Sequence, residues 1–523
     1  MYKTSVYVLM FISIILLNKY ETKMFNKLQT SDIIKSKKMF FESENVKFSF
    51  LKKLSSLNLN VITVEDYSGN KITGNFSVND SSLFLGKMAL GWYNVALNNN
   101  YTFSFAVVPD RKLNGFKESK FGIHVEITPT GFEKLKYLGA GWIRLHGTGS
   151  DILKWSFVEK QKGIYNWNYD LINPFINAGY GILANVGLSP LWASSNPNAE
   201  SYPNKSSYFG PYAYIPSNIN LWKNYLEKAY SEYKNHIDYW EIWNEPDIHF
   251  LVSDNKVEDY KKLLSSAIEV KKEESGDFRI AGPAIAYFMV KDNPAALKKF
   301  PANQGKKYRD PGFLNNFFED SLENDLNVFT FHYYKHINKD QFNYDEDEYN
   351  NYKEKVDNLK KIIGNKQIFV SEFNVLSNNK YYDAETDNVL SNILVLEHLQ
   401  LYSAGVDKIF TYTAAERNPL AIWNDFFYNG DNPTQVFQAY SVMTAYLTGY
   451  NIESRNYDSN NGLVTFKFTN NVNPITVYFA SRNTSVTINK DCIISDNLGQ
   501  KHRQLAGNKI MLNKNSIYYQ FSQ

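Results

Sequence analysis

Hydrophobic and polar positions along the chain keep three successive rhythms. Between residues 40 and 110 they alternate in short runs such as "VKFSF", "LNVITVED", "WYNVAL" and "YTFSFAVV", with Asp, Gly and Asn between them. Period-two alternation bounded by turn residues predicts strands, here a small N-terminal β-sandwich over 40–112. From residue 118 strand-like runs alternate with helical ones: "FGIHVEI", "GWIRLH", "GILANVG", "HIDYWEIWNEP", "RIAGPAIA", "LNVFTFHYY", "KQIFVSEFNV" and "DKIFTYTA". Stretches such as "LWKNYLEKAYSEYK" and "VEDYKKLLSSAIEVKKEE" between them carry helical periodicity. Repeated β–α alternation predicts a parallel sheet, and eight units over 118–446 predict a (β/α)8 TIM barrel of the α/β class. An open doubly wound sheet is the alternative, but no Gly-rich phosphate loop follows a first strand to support it. From 447 to 523 short β runs return, "LVTFKFT", "PITVYFA" and "SIYYQF" among them, and predict a C-terminal β-sandwich. The acidic tract 345–351 reads as a solvated loop.

Composition narrows the function classes. At 523 residues, with 43% hydrophobic and 21% charged content, the chain is globular and long enough for several domains. A net charge of +2 offers no basic face for nucleic acid. The single Cys492 excludes an intramolecular disulfide and a cysteine metal cluster. No HExxH, GxSxG or P-loop motif occurs, so no metal or cofactor is expected. Lys3 followed by the apolar run 5–17 resembles a secretory signal peptide, assigned to 1–22, and implies a secreted, periplasmic or cell-surface protein. Left uncleaved, the same run would attach the protein to a membrane.

In a barrel of this kind the C-terminal strand ends build the active site. Strand two ends in Arg144 and His146, strand four in Asn244 and Glu245, strand six in His332 and Tyr334, and strand seven in Glu372 and Asn374. Strand eight leads to a loop holding Trp423, and the loop after strand three holds Trp192, whose aromatic neighbours are read as subsite lining. The fourth strand is read as alternating, with Tyr239, Glu241, Trp243 and Glu245 on one side. Two carboxylates facing each other across the mouth suit glycosidic bond cleavage, which needs one protonated donor and one ionised nucleophile. Arg144 and the Tyr334 hydroxyl are candidates to keep Glu372 ionised, leaving Glu245 as the donor.

"WNEP" at the end of strand four and "SEFN" at the end of strand seven resemble clan A retaining glycoside hydrolases, most closely family 39 and its relatives. "HYY" at strand six and the trailing sandwich fit the same resemblance, which covers roughly 118–445 well and leaves the N-terminal sandwich outside it. The resemblance implies Glu245 as acid/base, Glu372 as nucleophile, and Asn244 as the partner of the sugar 2-hydroxyl. It also implies retention of configuration and a poly- or oligosaccharide substrate. Trp423 is then the candidate floor of the cleavage subsite, although strand eight reads "FTYTAAE" and that Trp comes late. A barrel that binds glycan without cutting it is the rival reading; turnover of any glycan separates the two.

Overall fold

The computed structural model describes residues 34–522, leaving out 58–62, 75, 98–100, 112–115, 201–207, 275–277, 287, 289–307, 309, 311, 338–341, 378–383, 414–425, 429–430 and 471–472. Eight parallel strands close into a barrel in chain order: β1 (Phe121–Ile123), β2 (Trp142–Leu145), β3 (Gly181–Val186), β4 (Tyr239–Ile242), β5 (Ile280–Ile285), β6 (Val328–Ile337), β7 (Gln367–Ser377) and β8 (Lys408–Thr411). Helices follow them: α1 (Pro129–Leu138), α2 (Tyr169–Asn177), α3 (Ile219–Tyr233), α4 (Lys256–Glu273), the short α5 (Phe313–Phe317), α6 (Glu346–Ile363), α7 (Ala384–Ala404) and α8 (Gln435–Leu447). The closed barrel decides against the doubly wound alternative.

Local chemistry explains the helix ends. The Thr128 hydroxyl accepts from Gly131 N at 3.1 Å to start α1, and Gly139, at φ +68, ends it in the left-handed conformation. The acidic tract 345–351 is not a loop: Asp345 caps α6 by accepting from Asp347 N at 3.0 Å, and Glu346, Asp347 and Glu348 fill its first turn. Negative charge there complements the helix dipole, as Lys360 and Lys361 do in the last turn. A run of acids therefore marked a helix start.

Two β layers flank the barrel. At the N-terminus a four-stranded sheet (39–41, 102–108, 91–96, 63–66) faces a three-stranded one (45–49, 82–87, 77–79) across Val46, Phe48, Leu83, Val95, Phe103 and Phe105. At the C-terminus a six-stranded antiparallel sheet built from 451–522 carries a two-stranded ribbon (484–487, 509–512). Both pack on α8. Trp92 Nε1 and Ser104 Oγ each donate to Pro433 O at 2.7 Å, and Gln438 Nε2 donates to Val107 O at 2.9 Å and Leu498 O at 2.8 Å. Barrel helices and the inner face of the C-terminal sheet share one apolar core, which includes Phe466, Phe479 and Tyr519. Among the described residues no helix is long and apolar enough to cross a membrane; the run 5–17 lies outside them.

Candidate active site

The barrel interior is layered. At its floor Trp142, Leu183, Tyr239, Ala281, Val328, Phe369 and Phe410 form an apolar plug. Two residues further along β2, β3 and β4, on the same inward face, stand Arg144, Asn185 and Glu241, all fully buried. Buried charge requires partners, and each is provided. Arg144 Nε donates to Glu241 Oε2 at 2.7 Å, Nη1 to Glu372 Oε1 at 2.6 Å, and Nη2 to Asn244 Oδ1 at 2.8 Å. Asn185 Nδ2 adds a donor to Glu241 Oε2 at 2.8 Å.

Glu245 reaches the mouth through a turn rather than a strand. β4 stops at Ile242, after which Trp243 (φ +65) and Glu245 (φ +42) are left-handed. Such conformations cost non-glycine residues roughly 1–3 kcal/mol each and persist where surroundings fix them. Here Trp243 N donates to Val186 O at 2.7 Å and Glu245 N to Ala284 O at 3.0 Å. The alternation expected for Trp243 fails at this point. Its indole lies in the outer core beside Trp222 and donates to Phe250 O at 2.8 Å, leaving Asn244 and Glu245 to enter the mouth.

Glu372 owes its position to a bulge. Phe331 pairs with Val370, but His332 pairs with Glu372, so Ser371 is an extra residue on β7. With Phe369 in the floor layer, unbroken alternation would turn Glu372 outward; the bulge turns it in and sends Phe373 to the outer core. Tyr334 OH donates to Glu372 Oε2, His146 Nε2 stands 3.5 Å from Oε1, and His332 Nδ1 stands 3.5 Å from Oε2. His332 Nδ1 also donates to Glu245 Oε1 at 2.8 Å, placing that ring between the carboxylates. One carboxylate oxygen from each glutamate and one His332 nitrogen lie within 4.8 Å of one another.

The same burial acts on both glutamates with opposite net results. For Glu372 burial raises the pKa, but His332, Arg144 and His124 together with the Tyr334 hydroxyl outweigh it and hold the carboxyl well below its ordinary range. For Glu245 burial, helped by the Glu372 charge, prevails over the hydrogen bond from His332, and the pKa is raised. On Glu241 burial is outweighed by Arg144, and its pKa is lowered. Burial, Lys154 and Arg144 hold the His146 imidazole neutral by driving its pKa far down. On His332 burial is outweighed by the Glu372 and Glu245 carboxylates, and its pKa is raised.

Glu245, Glu372, Asn244, Arg144, His146, His332 and Tyr334 are thus brought together. Trp192 is not part of this group: its indole donates to Glu159 O at 2.9 Å and its ring packs edge-on against Trp155. Trp423 lies outside the described residues. Asn374 Nδ2 donates to Tyr412 O, tying β7 to the end of β8. Sequence reasoning missed Glu241 and Asn185 as site residues, although each is a polar residue two places beyond an apolar floor residue. It also missed His124, whose ring nitrogens each lie 2.9 Å from a main-chain oxygen, of His146 and of Ser371. Tyr412, whose ring packs edge-on to His124 at 4.9 Å, is the aromatic residue that β8 delivers to the mouth. Glu245, His332 and Glu372 have the spacing of a metal triad. Arg144 occupies the charge-compensating position beside Glu372, and His332 Nδ1 is engaged by Glu245, so the donor set fits a cation poorly.

Residues 193–440 match the family model of the glycosyl hydrolase catalytic core, a span that includes Glu241, Asn244, Glu245, His332, Tyr334 and Glu372. No curated protein matches the sequence. By structure the chain is similar to a family 39 glycoside hydrolase from the gut symbiont Bacteroides cellulosilyticus WH2, at 16% identity and TM-score 0.69, over 94% of this chain and 100% of that one. It is also similar to a conserved exported protein from Bacteroides fragilis, at 12% identity and TM-score 0.53, over 79% and 99%. A third similar structure is a glucosidase from Croceicoccus marinus, at 9% identity and TM-score 0.53, over 79% and 97%. At these identities the likeness carries the fold, and the family model carries the activity. The resemblance to glycoside hydrolases holds, and the protein is a glycosidase.

Proposed function

We propose that the protein is an exported retaining glycosidase that cleaves a poly- or oligosaccharide by double displacement. Glu372 is the nucleophile and Glu245 the acid/base. The observation that carries this reading is the opposed bias of two neighbouring carboxyls, one held ionised and the other drawn toward its protonated form. In the first step Glu372 attacks the anomeric carbon while Glu245 gives its proton to the departing oxygen, leaving a glycosyl ester on Glu372. In the second step Glu245, now ionised, removes a proton from water as that water attacks the same carbon from the face the leaving group vacated, breaking the ester bond and releasing the Glu372 carboxylate. Carboxylate oxygens within 4.8 Å suit this route, because an inverting site separates its carboxyls enough to hold a water between them.

Asn244 supplies the sugar contact. Its Oδ1 is bound to Arg144, while its buried Nδ2 has no partner among the described residues and is placed to donate to the 2-hydroxyl. Export rests on the pattern of Lys3 and residues 5–17. Proton NMR of the first-formed anomer tests the mechanism: the account expects the substrate's configuration, and the opposite anomer appearing first rejects it. N-terminal sequencing of protein recovered outside the cytoplasm tests export; an intact Met1 in a cytoplasmic pool rejects it.

A further inference from the structure

Lys154 is buried, with 1% of its surface exposed, and no step above uses it. It lies in the loop after β2, immediately before the short helix Trp155–Val158. Its Nζ donates to Asn185 Oδ1. That contact decides which way the Asn185 amide faces. A lysine ammonium meets the amide only as a donor, so the amide must offer it its oxygen. The NH2 group then turns to two acceptors, Glu241 Oε2 at 2.8 Å and Trp243 O at 2.5 Å. A flipped amide would set oxygen against oxygen at both. Glu241 Oε2 also receives Arg144 Nε at 2.7 Å, and the far end of that guanidinium holds Glu372 Oε1 at 2.6 Å.

We propose that Lys154, acting through Asn185 and Glu241, is a positioning residue that sets the Arg144 guanidinium against Glu372. The proposal rests on the reading of Glu372 as nucleophile. Charged and titratable groups facing Lys154 are Asp151, Arg144, Glu241, Glu372 and His146. Those facing Glu372 are Arg144, His124, His146, His332, Tyr334 and Glu245. Burial lowers the Lys154 pKa to about 7; a neutral amine can still donate to Oδ1, and Glu241 Oε2 and Trp243 O hold the NH2 group on its own side at either charge state. A purely electrostatic role for Lys154 makes a different forecast, because Asn185 carries no charge. Removing Asn185 would then leave Glu372 unaffected.

The test uses the full chain labelled with 13C at glutamate carboxyls, with the Glu372 resonance assigned by its loss in Glu372→Gln. The carboxyl is titrated in the wild type, Lys154→Met, Asn185→Leu and the double variant. The relay predicts a raised Glu372 midpoint in each single variant and no further rise in the double. It also predicts kcat/KM on a 2,4-dinitrophenyl glycoside about 10- to 100-fold lower, the range of a charge-assisted hydrogen bond, with KM nearly unchanged. An unchanged midpoint in Asn185→Leu overturns the proposal, as do additive shifts in the double variant. If near-ultraviolet circular dichroism shows either variant unfolded, Lys154→Gln and Asn185→Ser are held to the same outcomes. Full turnover by Glu372→Gln would instead defeat the nucleophile reading itself. An inactive Glu372→Gln beside wild-type midpoints in the relay variants defeats only the relay.

Discussion

Glu372 and Glu245 are the same side chain at similar depth, 6% and 8% exposed, on opposite sides of one barrel mouth. Around Glu372 the protein gathers a bonded guanidinium, a phenol and imidazoles; around Glu245 it supplies one imidazole, the charge of the other glutamate and a weaker influence of the same guanidinium. Burial pushes both carboxyls toward the neutral form. His332 acts on both carboxyls; Glu372 has in addition the short bond from Arg144, whose remaining nitrogens are anchored by Glu241 and Asn244, the His124 ring and the Tyr334 hydroxyl. Identical groups therefore acquire different work through unequal surroundings, in which the Arg144 guanidinium is held by an acid of its own layer, Glu241.

Removing the favoured partner should have the largest effect. Glu372→Ala should lose activity on natural glycans and on dinitrophenyl glycosides alike, on the order of 10⁵–10⁶-fold, with azide yielding at best a product of inverted configuration. Glu245→Ala should lose about 10²–10⁴-fold on natural glycans while sparing the first step on dinitrophenyl glycosides, whose leaving group departs without a proton. Azide should restore turnover of that variant with retained configuration; equal losses on both substrates would make Glu245 structural. Arg144→Met should narrow the difference between the two carboxyls, raising Glu372 more than Glu245. Leaving Glu241 and Glu372 as buried charges without their guanidinium, it should lower stability by about 3–5 kcal/mol in denaturant titrations. Tyr334→Phe removes one neutralising hydrogen bond and should be mildest, about tenfold in kcat/KM, with the acid limb of the pH profile moved upward.

The pH dependence follows from the two shifts. Activity requires Glu372 ionised and Glu245 protonated, so kcat/KM should be bell-shaped, rising through the lowered pKa and falling through the raised one. Stability carries the same signs. The contribution of Glu372 is present above its unfolded value near 4.5 and is lost as pH falls through its folded pKa. That of Glu245 is complete below 4.5 and is lost as pH rises through its folded pKa. Unfolding titrations of Glu372→Gln and Glu245→Gln should therefore diverge from wild type in opposite directions as pH rises from acid to neutral.

Much of this arrangement was legible in the chain. Eight strand-like runs with helices between them specify the barrel, and a barrel specifies which strand ends matter, so Arg144, Asn244, Glu245, His332, Tyr334 and Glu372 could be named without coordinates. Two local departures from period two could not be read. Trp243 looks like a continuation of β4, yet left-handed backbone at 243 and 245 ends the alternation. Glu372 follows Phe369 at a spacing that simple alternation would turn outward, and only the extra Ser371 brings it in. The supporting layer was hidden for a different reason. Glu241 and Asn185 sit within apolar runs, where a lone polar residue acquires meaning only once Arg144 is known to lie beside it. The acidic tract at 345–351 misled because a capped first turn and a solvated loop share one composition.

The central claim is that surroundings, and not position, make Glu372 the nucleophile. Trapping measures this most directly. The enzyme is inactivated with the 2-deoxy-2-fluoro, dinitrophenyl derivative of whichever sugar it turns over, then digested, and the labelled peptide is fragmented by mass spectrometry. The account predicts one fluoroglycosyl ester, on Glu372. A label on Glu245, or turnover with inversion and no trapped ester, would contradict it.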